Sequence, residues 1–148
     1  MEDCHVGQVG AGQGFSLALN TIGNRMWSWG REDYGQLGIH DEVQPEAGGY
    51  EVSPKEVPFP DEEGLRFKGL HVCDFSVVAI SDMDNAYSWG LNEVGTLRHN
   101  TTADITRPRR VQLNRVEKNG SDYAVLSASG GAQQCLMVVQ KRVAPTVE

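Results

Sequence analysis

The chain has 148 residues, enough for one domain with a hydrophobic core. Hydrophobic residues make up 39% and charged residues 22%, which is typical of a globular protein and excludes disordered or collagen-like classes. No apolar run approaches the roughly 18 residues that a membrane-spanning helix needs. The first ten residues have acidic side chains, at Glu2 and Asp3, where a secretory or mitochondrial leader would be basic. We therefore expect an intracellular protein that does not interact with a membrane.

The net charge of -7 predicts that the domain as a whole repels nucleic acid. The charge is uneven, since residues 41–63 hold eight acidic side chains and one lysine, whereas residues 107–118 hold five basic side chains and one glutamate. Two interpretations stay open for each segment: a solvated surface loop, or a patch that attracts a charged partner. The basic stretch Arg107–Arg110 lacks interleaved aromatic residues, so it gives little support to chromatin or DNA contact.

The cysteines and histidines do not form a recognisable site. Cys4, Cys73 and Cys135 are odd in number and far apart, which fits neither a disulfide framework nor a zinc-binding pair. The histidines lack metal-ligand spacing, and no nucleophile, base and carboxylate stand in a known motif. We expect no metal, no cofactor, no catalytic residue and no covalent catalysis.

The first element is a glycine-rich corner that leads into the segment Ser16–Leu19. A phosphate-binding loop would need a lysine after the glycines, and a dinucleotide-binding loop would open a helix where Phe15 begins a strand pattern. The sequence therefore predicts a structural corner. A polar turn with Gly23 and Asn24 then leads into an aromatic strand, Met26–Trp29, so the two strands form a hairpin.

An internal repeat follows. FSLALNTIGNRMWSWG at 15–30 matches FSVVAISDMDNAYSWG at 75–90, sixty positions later, which predicts a second hairpin of Ser76–Ile80 with Ala86–Trp89. REDYGQLG at 31–38 likewise matches LNEVGTLR at 91–98, where Arg98 replaces the last glycine. A third copy begins at Leu126 and stops. We assign one domain, 1–148, with repeats at 9–68, 69–125 and 126–142 (incomplete, closing strands) and a tail at 143–148.

Short strands, glycine turns and a repeat of about 60 residues, with no 3.6-residue periodicity, predict radial four-stranded blades. We predict an all-β fold, a partial β-propeller of about two and a half blades. Because about four to eight blades close a propeller, and an open arc exposes strand edges, the chain should need further blades, self-association or a complementing chain.

The run of S-L-A-L, a glycine turn, W-S-W-G, Y-G-Q-L-G and a later P-x-x-V resembles the repeat of the regulator of chromosome condensation family. The resemblance implies a seven-bladed propeller. The ending from Gln112 resembles the last repeat, which would place the chain in the C-terminal portion. The expected structural core comprises the tryptophans, packed between blades, and the repeat's glycines and leucine: Trp29, Gly30, Gly35, Leu37, Trp89, Gly90, Gly95, Gly130 and Gly131.

The founding member of that family is a guanine nucleotide exchange factor for the small GTPase Ran and acts on chromatin. The resemblance therefore implies a protein partner such as a Ran-type GTPase, and a nuclear location; otherwise the location would be cytoplasmic. The loops after W-G would face the partner, which makes Glu32, Asp33, Tyr34 and Glu93 partner-face candidates. The alternative for Asp33 and Glu93 is a turn residue that caps its own backbone.

The histidine that usually follows the family's glycine corner is absent here. Exchange is therefore expected only within a complete propeller, and the alternative is a scaffold or regulatory binding module without exchange activity.

Overall fold

The structure is a computed structural model that describes residues 4–41, 48–113, 123–132 and 134–143. These residues form antiparallel sheets. The strands are β1 (Val6–Ala11), β2 (Phe15–Asn20), β3 (Met26–Arg31), β4 (Tyr50–Glu56), β5 (Phe67–Val72), β6 (Ser76–Ser81), β7 (Ala86–Gly90), β8 (Ile105–Arg110), β9 (Tyr123–Gly130) and β10 (Cys135–Lys141). Within these residues, no helix has the length and apolar character needed to cross a membrane.

Two complete blades and part of a third make up the described structure. Blade 1 has the strand order β1-β2-β3-β4, blade 2 has the order β5-β6-β7-β8, and the third sheet consists of β9 and β10. Both predicted hairpins are present, as β2 with β3 and β6 with β7. The prediction of an all-β partial propeller is therefore confirmed. The repeat boundaries themselves stay a prediction, and the tail at 143–148 lies outside the described residues beyond Val143.

The pairing of strands differs by one residue from the repeat in the sequence. The sequence aligns Phe15 with Phe75, but Gly30 pairs with Phe15 in blade 1 whereas Gly90 pairs with Ser76 in blade 2. The cause is the hairpin turn, which spans 21–25 in blade 1 and only 82–85 in blade 2. Because side chains alternate across a strand, this one-residue offset decides which face each residue of β6 presents.

The core lies between blades rather than within a blade. One apolar cluster joins Leu17, Leu19 and Met26 of blade 1 to Val77 and other residues of blade 2. A second, smaller cluster joins the opposite face of β6 to β9, through buried residues that include Val78, Ile80 and Val125. Blade 2 therefore buries one face against blade 1 and the other against the third sheet, as expected for a sheet whose two faces are both apolar.

The glycine corner before β2 brings the first two blades together. A Cβ atom at Gly10 would lie 2.3 Å from Cγ2 of Val72, at the end of β5 in blade 2. A Cβ atom at Gly12 would lie 2.5 Å from the carbonyl oxygen of Cys73. The Gln13 backbone amide also donates to the carbonyl of Asp74 at 2.8 Å. A side chain at either glycine would force the blades apart, so this corner has a structural role.

Candidate functional site

The candidate site is formed by the loops that leave β3 and β7. In an antiparallel sheet these loops lie beside the corner that precedes the second strand, and two backbone hydrogen bonds show this: Arg31 donates to Gly14 at 2.8 Å and Leu91 donates to Phe75 at 3.0 Å. We call the surface formed by residues 32–41 and 91–104 the loop face. All four partner-face candidates of the sequence lie on it.

The first loop is fixed between the blades by Trp89, the tryptophan of the second repeat. Nε1 of Trp89 donates to the carbonyl oxygen of Gln36 at 3.0 Å, and Oγ of Ser28 donates to the carbonyl oxygen of Leu37 at 2.7 Å. Trp89, Leu37 and Gln36 are fully buried. The Y-G-Q-L-G turn, residues 34–38, is therefore packed between blades 1 and 2, with Gln36 and Leu37 buried.

The expected core residues are not all equally buried. Gly35, Leu37, Trp89 and Gly90 are buried; Trp29, Gly30, Gly95 and Gly131 are half-buried; and Gly130 is exposed. Gly130 and Gly131 form the corner between β9 and β10 instead of part of the buried core. Gly130 still tolerates no side chain, since a Cβ there would lie 2.5 Å from Sγ of Cys73.

The two acidic candidates of the first loop are held by neighbouring residues. Asp33 forms an ion pair with Arg31, which raises the pKa of that guanidinium through the hydrogen bond, and its Oδ1 accepts the backbone amide of Gly48 at 2.5 Å. Oε2 of Glu32 lies 2.7 Å from Nε2 of His40. These carboxylates therefore fix the shape of the loop, which leaves only part of each for a partner.

The aromatic candidate also has an internal role. The ring of Tyr34 packs edge-on against Phe75 of blade 2, with 5.2 Å between centroids, and its backbone amide donates to Oε1 of Gln36 at 2.8 Å. Glu93 differs from the other candidates, because it is exposed and forms no ion pair with another described residue. Glu93 is therefore the candidate whose charge is most available on the loop face.

The second loop depends on a residue that the sequence analysis missed. Asn92, which aligns with Glu32, is fully buried. Its Nδ2 donates to the carbonyl oxygens of Thr101 and Ala103 at 2.8 and 3.0 Å, and its Oδ1 accepts the amide of Leu97 at 3.0 Å. An asparagine that follows a W-G pair in a turn-rich segment is the signal that could have identified it.

Ser88 and His99 form a pair that resembles a nucleophile and a base. Oγ of Ser88 lies 2.8 Å from Nε2 of His99 and also 3.0 Å from the carbonyl oxygen of Leu97, to which it donates. Ser88 is fully buried and His99 nearly so, and burial lowers the pKa of the imidazole. Because Ser88 is fully buried, a substrate cannot reach its hydroxyl, and the pair stabilises the turn. Among the described residues no group of three or more metal-binding side chains is found.

The sequence comparison decides the family. Residues 7–36 and 24–80 match models of the regulator of chromosome condensation (RCC1) repeat. The chain belongs to the RCC1 repeat family. The RCC1 repeat thus accounts for both the W-S-W-G strand and the interblade turn that follows it.

Relatives with the RCC1 repeat are much longer than this chain. The chain is 34% identical over 108 residues to the human E3 ubiquitin-protein ligase HERC2, with 71% of this chain and 2% of that protein covered. It is 31% identical over 130 residues to the probable human E3 ubiquitin-protein ligase HERC3, with 84% of this chain and 12% of that protein covered. The chain therefore corresponds to a small part of these relatives.

The fold also matches an experimental structure of the RCC1 family. The crystal structure of Prp20p from Saccharomyces cerevisiae superposes with a TM-score of 0.78 at 22% identity, with 97% of this chain and 33% of that chain covered. At this identity the match concerns the fold alone. The described blades therefore have the geometry of one third of an RCC1-type propeller.

Proposed function

We propose that this chain is a protein-interaction segment of an RCC1-type propeller, and that the loop face binds the partner. The observation that carries the proposal is that buried contacts hold the loops of this face in one conformation. Its loops are held from inside by Trp89, Asn92 and the Glu32–His40 contact, while no accessible nucleophile is paired with a base on it. A preorganised surface of this kind lowers the entropic cost of binding and needs no chemistry.

The specific role that we propose is participation in nucleotide exchange on a Ran-type small GTPase, within a complete propeller. The structural relative Prp20p was studied for its binding to Gsp1p and histones. An exchange factor acts by binding the nucleotide-free state more tightly than the loaded state, so the segment needs shape and charge but no catalytic group. This role would place the protein in the nucleus, with chromatin contact supplied by parts other than this acidic segment.

The segment should need further strands or blades for this task. The outer strand of the third sheet, β10, exposes Leu136, Val138 and Val139 to 70%, 59% and 42%. Apolar side chains on an unpaired edge strand attract another strand. We therefore propose that more blades of the same product, or a second chain, cover β10 in the functional unit.

A second candidate function is a scaffold or regulatory module without exchange activity. It is favoured by the relatives, which include ubiquitin ligases of which the chain covers a small fraction. The glycine corners, which hold Gly14 or Phe15 and Ser76 where the family usually has a histidine, favour it as well.

Measuring binding to Ran and nucleotide release from Ran in parallel distinguishes the exchange role from the scaffold role. Nucleotide release from Ran loaded with a fluorescent GDP analogue should accelerate with the full-length product, and the 148-residue chain should bind nucleotide-free Ran without accelerating release. Glu93→Lys on the loop face should weaken binding by about tenfold if Glu93 pairs with a cation of the partner. Asp82→Lys, the same charge change in the turn at the opposite end of blade 2, is the matched control and should have no effect.

Each outcome decides between the functions. Binding without acceleration by the full-length product would overturn the exchange role and favour the scaffold. Equal loss of binding in both variants would show that overall charge, and not the loop face, governs the interaction.

A further inference from the structure

A basic pocket lies where the end of the second loop of the loop face meets β8, the last strand of blade 2. It has a volume of about 260 Å³. Its lining consists of basic and amide side chains: Arg98, His99, Asn100, Arg109, Arg110 and Gln112. A pocket lined by three arginines in a chain of net charge -7 is unexpected for a surface that serves only solubility.

Two of these arginines form no ion pair with a residue that the structure describes. Arg25, Arg31 and Arg107 each form an ion pair with a carboxylate, whereas Arg98 and Arg109 form none with any described residue. The third, Arg110, donates from its guanidinium to Oδ1 of Asn85 at 3.1 Å. The donors of Arg98 and Arg109 are therefore the ones available to a ligand.

The position of Arg98 is costly for the backbone. Arg98 has φ of 63° and stands where the first repeat has Gly38, with φ of 70°. Residues with a side chain rarely adopt this left-handed backbone conformation, whereas glycine adopts it freely. Residues in sparsely populated backbone conformations cluster at ligand-binding and catalytic sites, so this outlier motivates the hypothesis that the Arg98 side chain has a function.

His99 and Arg109 face the same side of blade 2. Arg109 is paired across the sheet with Ser88, and Oγ of Ser88 lies 2.8 Å from Nε2 of His99. Directly paired residues of neighbouring strands present their side chains on one face of the sheet. His99 is nine-tenths buried and provides a fixed wall, with Asn100, also at positive φ, beside it.

Blade 1 serves as an internal comparison, because it has the same architecture without this pocket chemistry. The pairs Ser88–Arg109 and Tyr87–Arg110 of blade 2 correspond to Ser28–Lys55 and Trp27–Glu56 of blade 1. Gly38 and Ile39 stand in place of Arg98 and His99. The repeat architecture therefore does not require these arginines, and they distinguish blade 2.

We propose that this pocket binds a tetrahedral oxyanion, namely the phosphoryl group of a phosphorylated side chain on a protein partner. Guanidinium groups donate paired hydrogen bonds to phosphate oxygens, and the amides of Asn100 and Gln112 supply further donors. One compact pocket fits one phosphoryl group, whereas a nucleic acid backbone needs an extended basic stripe, which a chain of this net charge does not favour. The choice of a protein as the source rests on the proposed interaction function; the oxyanion site does not.

The test follows the arginine Nε resonances of the 148-residue chain by NMR during titration. The probes are inorganic phosphate, a short phosphoserine peptide, the same peptide without phosphate, and a DNA duplex. The Nε resonances of Arg98 and Arg109 should shift with phosphate and with the phosphopeptide. Arg98→Gly and Arg109→Ala should each weaken phosphopeptide binding by about tenfold, the usual value of a charge-assisted contact, while Arg107→Ala on the same strand should change it less than about twofold.

Folding is controlled by the choice of residue. Arg98→Gly restores the glycine of the first repeat, so its melting temperature should not fall, and a loss of binding cannot be ascribed to unfolding. Glu93 does not line the pocket, so Glu93→Lys should leave phosphate binding unchanged, and the oxyanion site can succeed or fail independently of the partner contact proposed for Glu93.

Four results would overturn the proposal. These are no shift of either resonance at saturating phosphate, an equal loss in Arg107→Ala, equal binding of the two peptides, and tighter, strongly salt-dependent binding of the DNA duplex. The last result would assign the pocket to nucleic acid instead.

Discussion

The indole nitrogen of Trp89, in blade 2, donates a hydrogen bond to the carbonyl oxygen of Gln36, in blade 1, at 3.0 Å. This contact joins the third strand of one blade to the turn that follows the third strand of the preceding blade. Both residues are fully buried. The W-G pair of blade 2 therefore packs against the Y-G-Q-L-G turn of blade 1, so these two parts of the repeat contact each other across the blade boundary.

Trp89→Ala should destabilise the chain more than Trp29→Ala. Trp89 is fully buried between two blades, so its truncation should cost about 3–5 kcal/mol, whereas Trp29 is only half-buried. Chemical denaturation followed by circular dichroism measures both. Trp89→Phe keeps part of the packing but leaves the buried Gln36 carbonyl oxygen without its donor, so it should cost about 1–3 kcal/mol, less than Trp89→Ala. An equal loss for Trp29→Ala and Trp89→Ala would contradict the assigned packing.

Gly38→Ala should destabilise more than Gly64→Ala. Both glycines have φ near 70°, so each alanine carries the cost of a left-handed backbone, about 1–2 kcal/mol. A Cβ at Gly38 would also lie 2.8 Å from Nε1 of Trp89, while one at Gly64 meets nothing within 4 Å. The difference between the two unfolding free energies measures the clash alone, and a difference near zero would show that the turn moves freely.

Asn92→Ala should loosen the second loop of the loop face. It removes three hydrogen bonds and leaves the buried Leu97 amide without its acceptor, at a cost of about 1–3 kcal/mol for that group. Hydrogen exchange at the Leu97 amide, which donates to Asn92, reports the local effect. Glu93→Ala, at the adjacent exposed position, is the control and should leave that exchange rate unchanged.

The stability should decrease as the pH falls below 6.5, in part through His99. Burial lowers the pKa of His99 below its ordinary value of 6.5, so the unfolded chain binds the proton more readily than the folded chain. The contribution of His99 is therefore complete above pH 6.5 and is lost as the pH falls from 6.5 through the lower pKa of the folded state.

Denaturation at pH 7 and at pH 5 tests this pH dependence. His99→Ile, which introduces the residue of the first repeat, should reduce the change in unfolding free energy between the two pH values. Some of the change should remain, because burial also lowers the pKa of His71. An unchanged pH dependence in His99→Ile would exclude His99 as a contributor.

The sequence alone was sufficient for the hairpins, the blade architecture and the family. Alternating apolar residues, a polar turn and an aromatic strand are local signals, and their recurrence after sixty residues identified the repeat without any knowledge of tertiary contacts. The loop candidates lie on one side of the blades, because an antiparallel blade brings the loops after its third strands to the same side; that this side binds a partner stays a prediction.

Tertiary structure decided what each repeated residue does. Trp29 and Trp89 are identical in sequence context, yet only Trp89 has a preceding blade among the described residues to pack against, and it is the one that is fully buried. Phe15 and Phe75 align in the sequence, yet one additional turn residue gives them different partners across the sheet. Burial and strand register depend on neighbours far along the chain, and a local pattern carries no information about those neighbours.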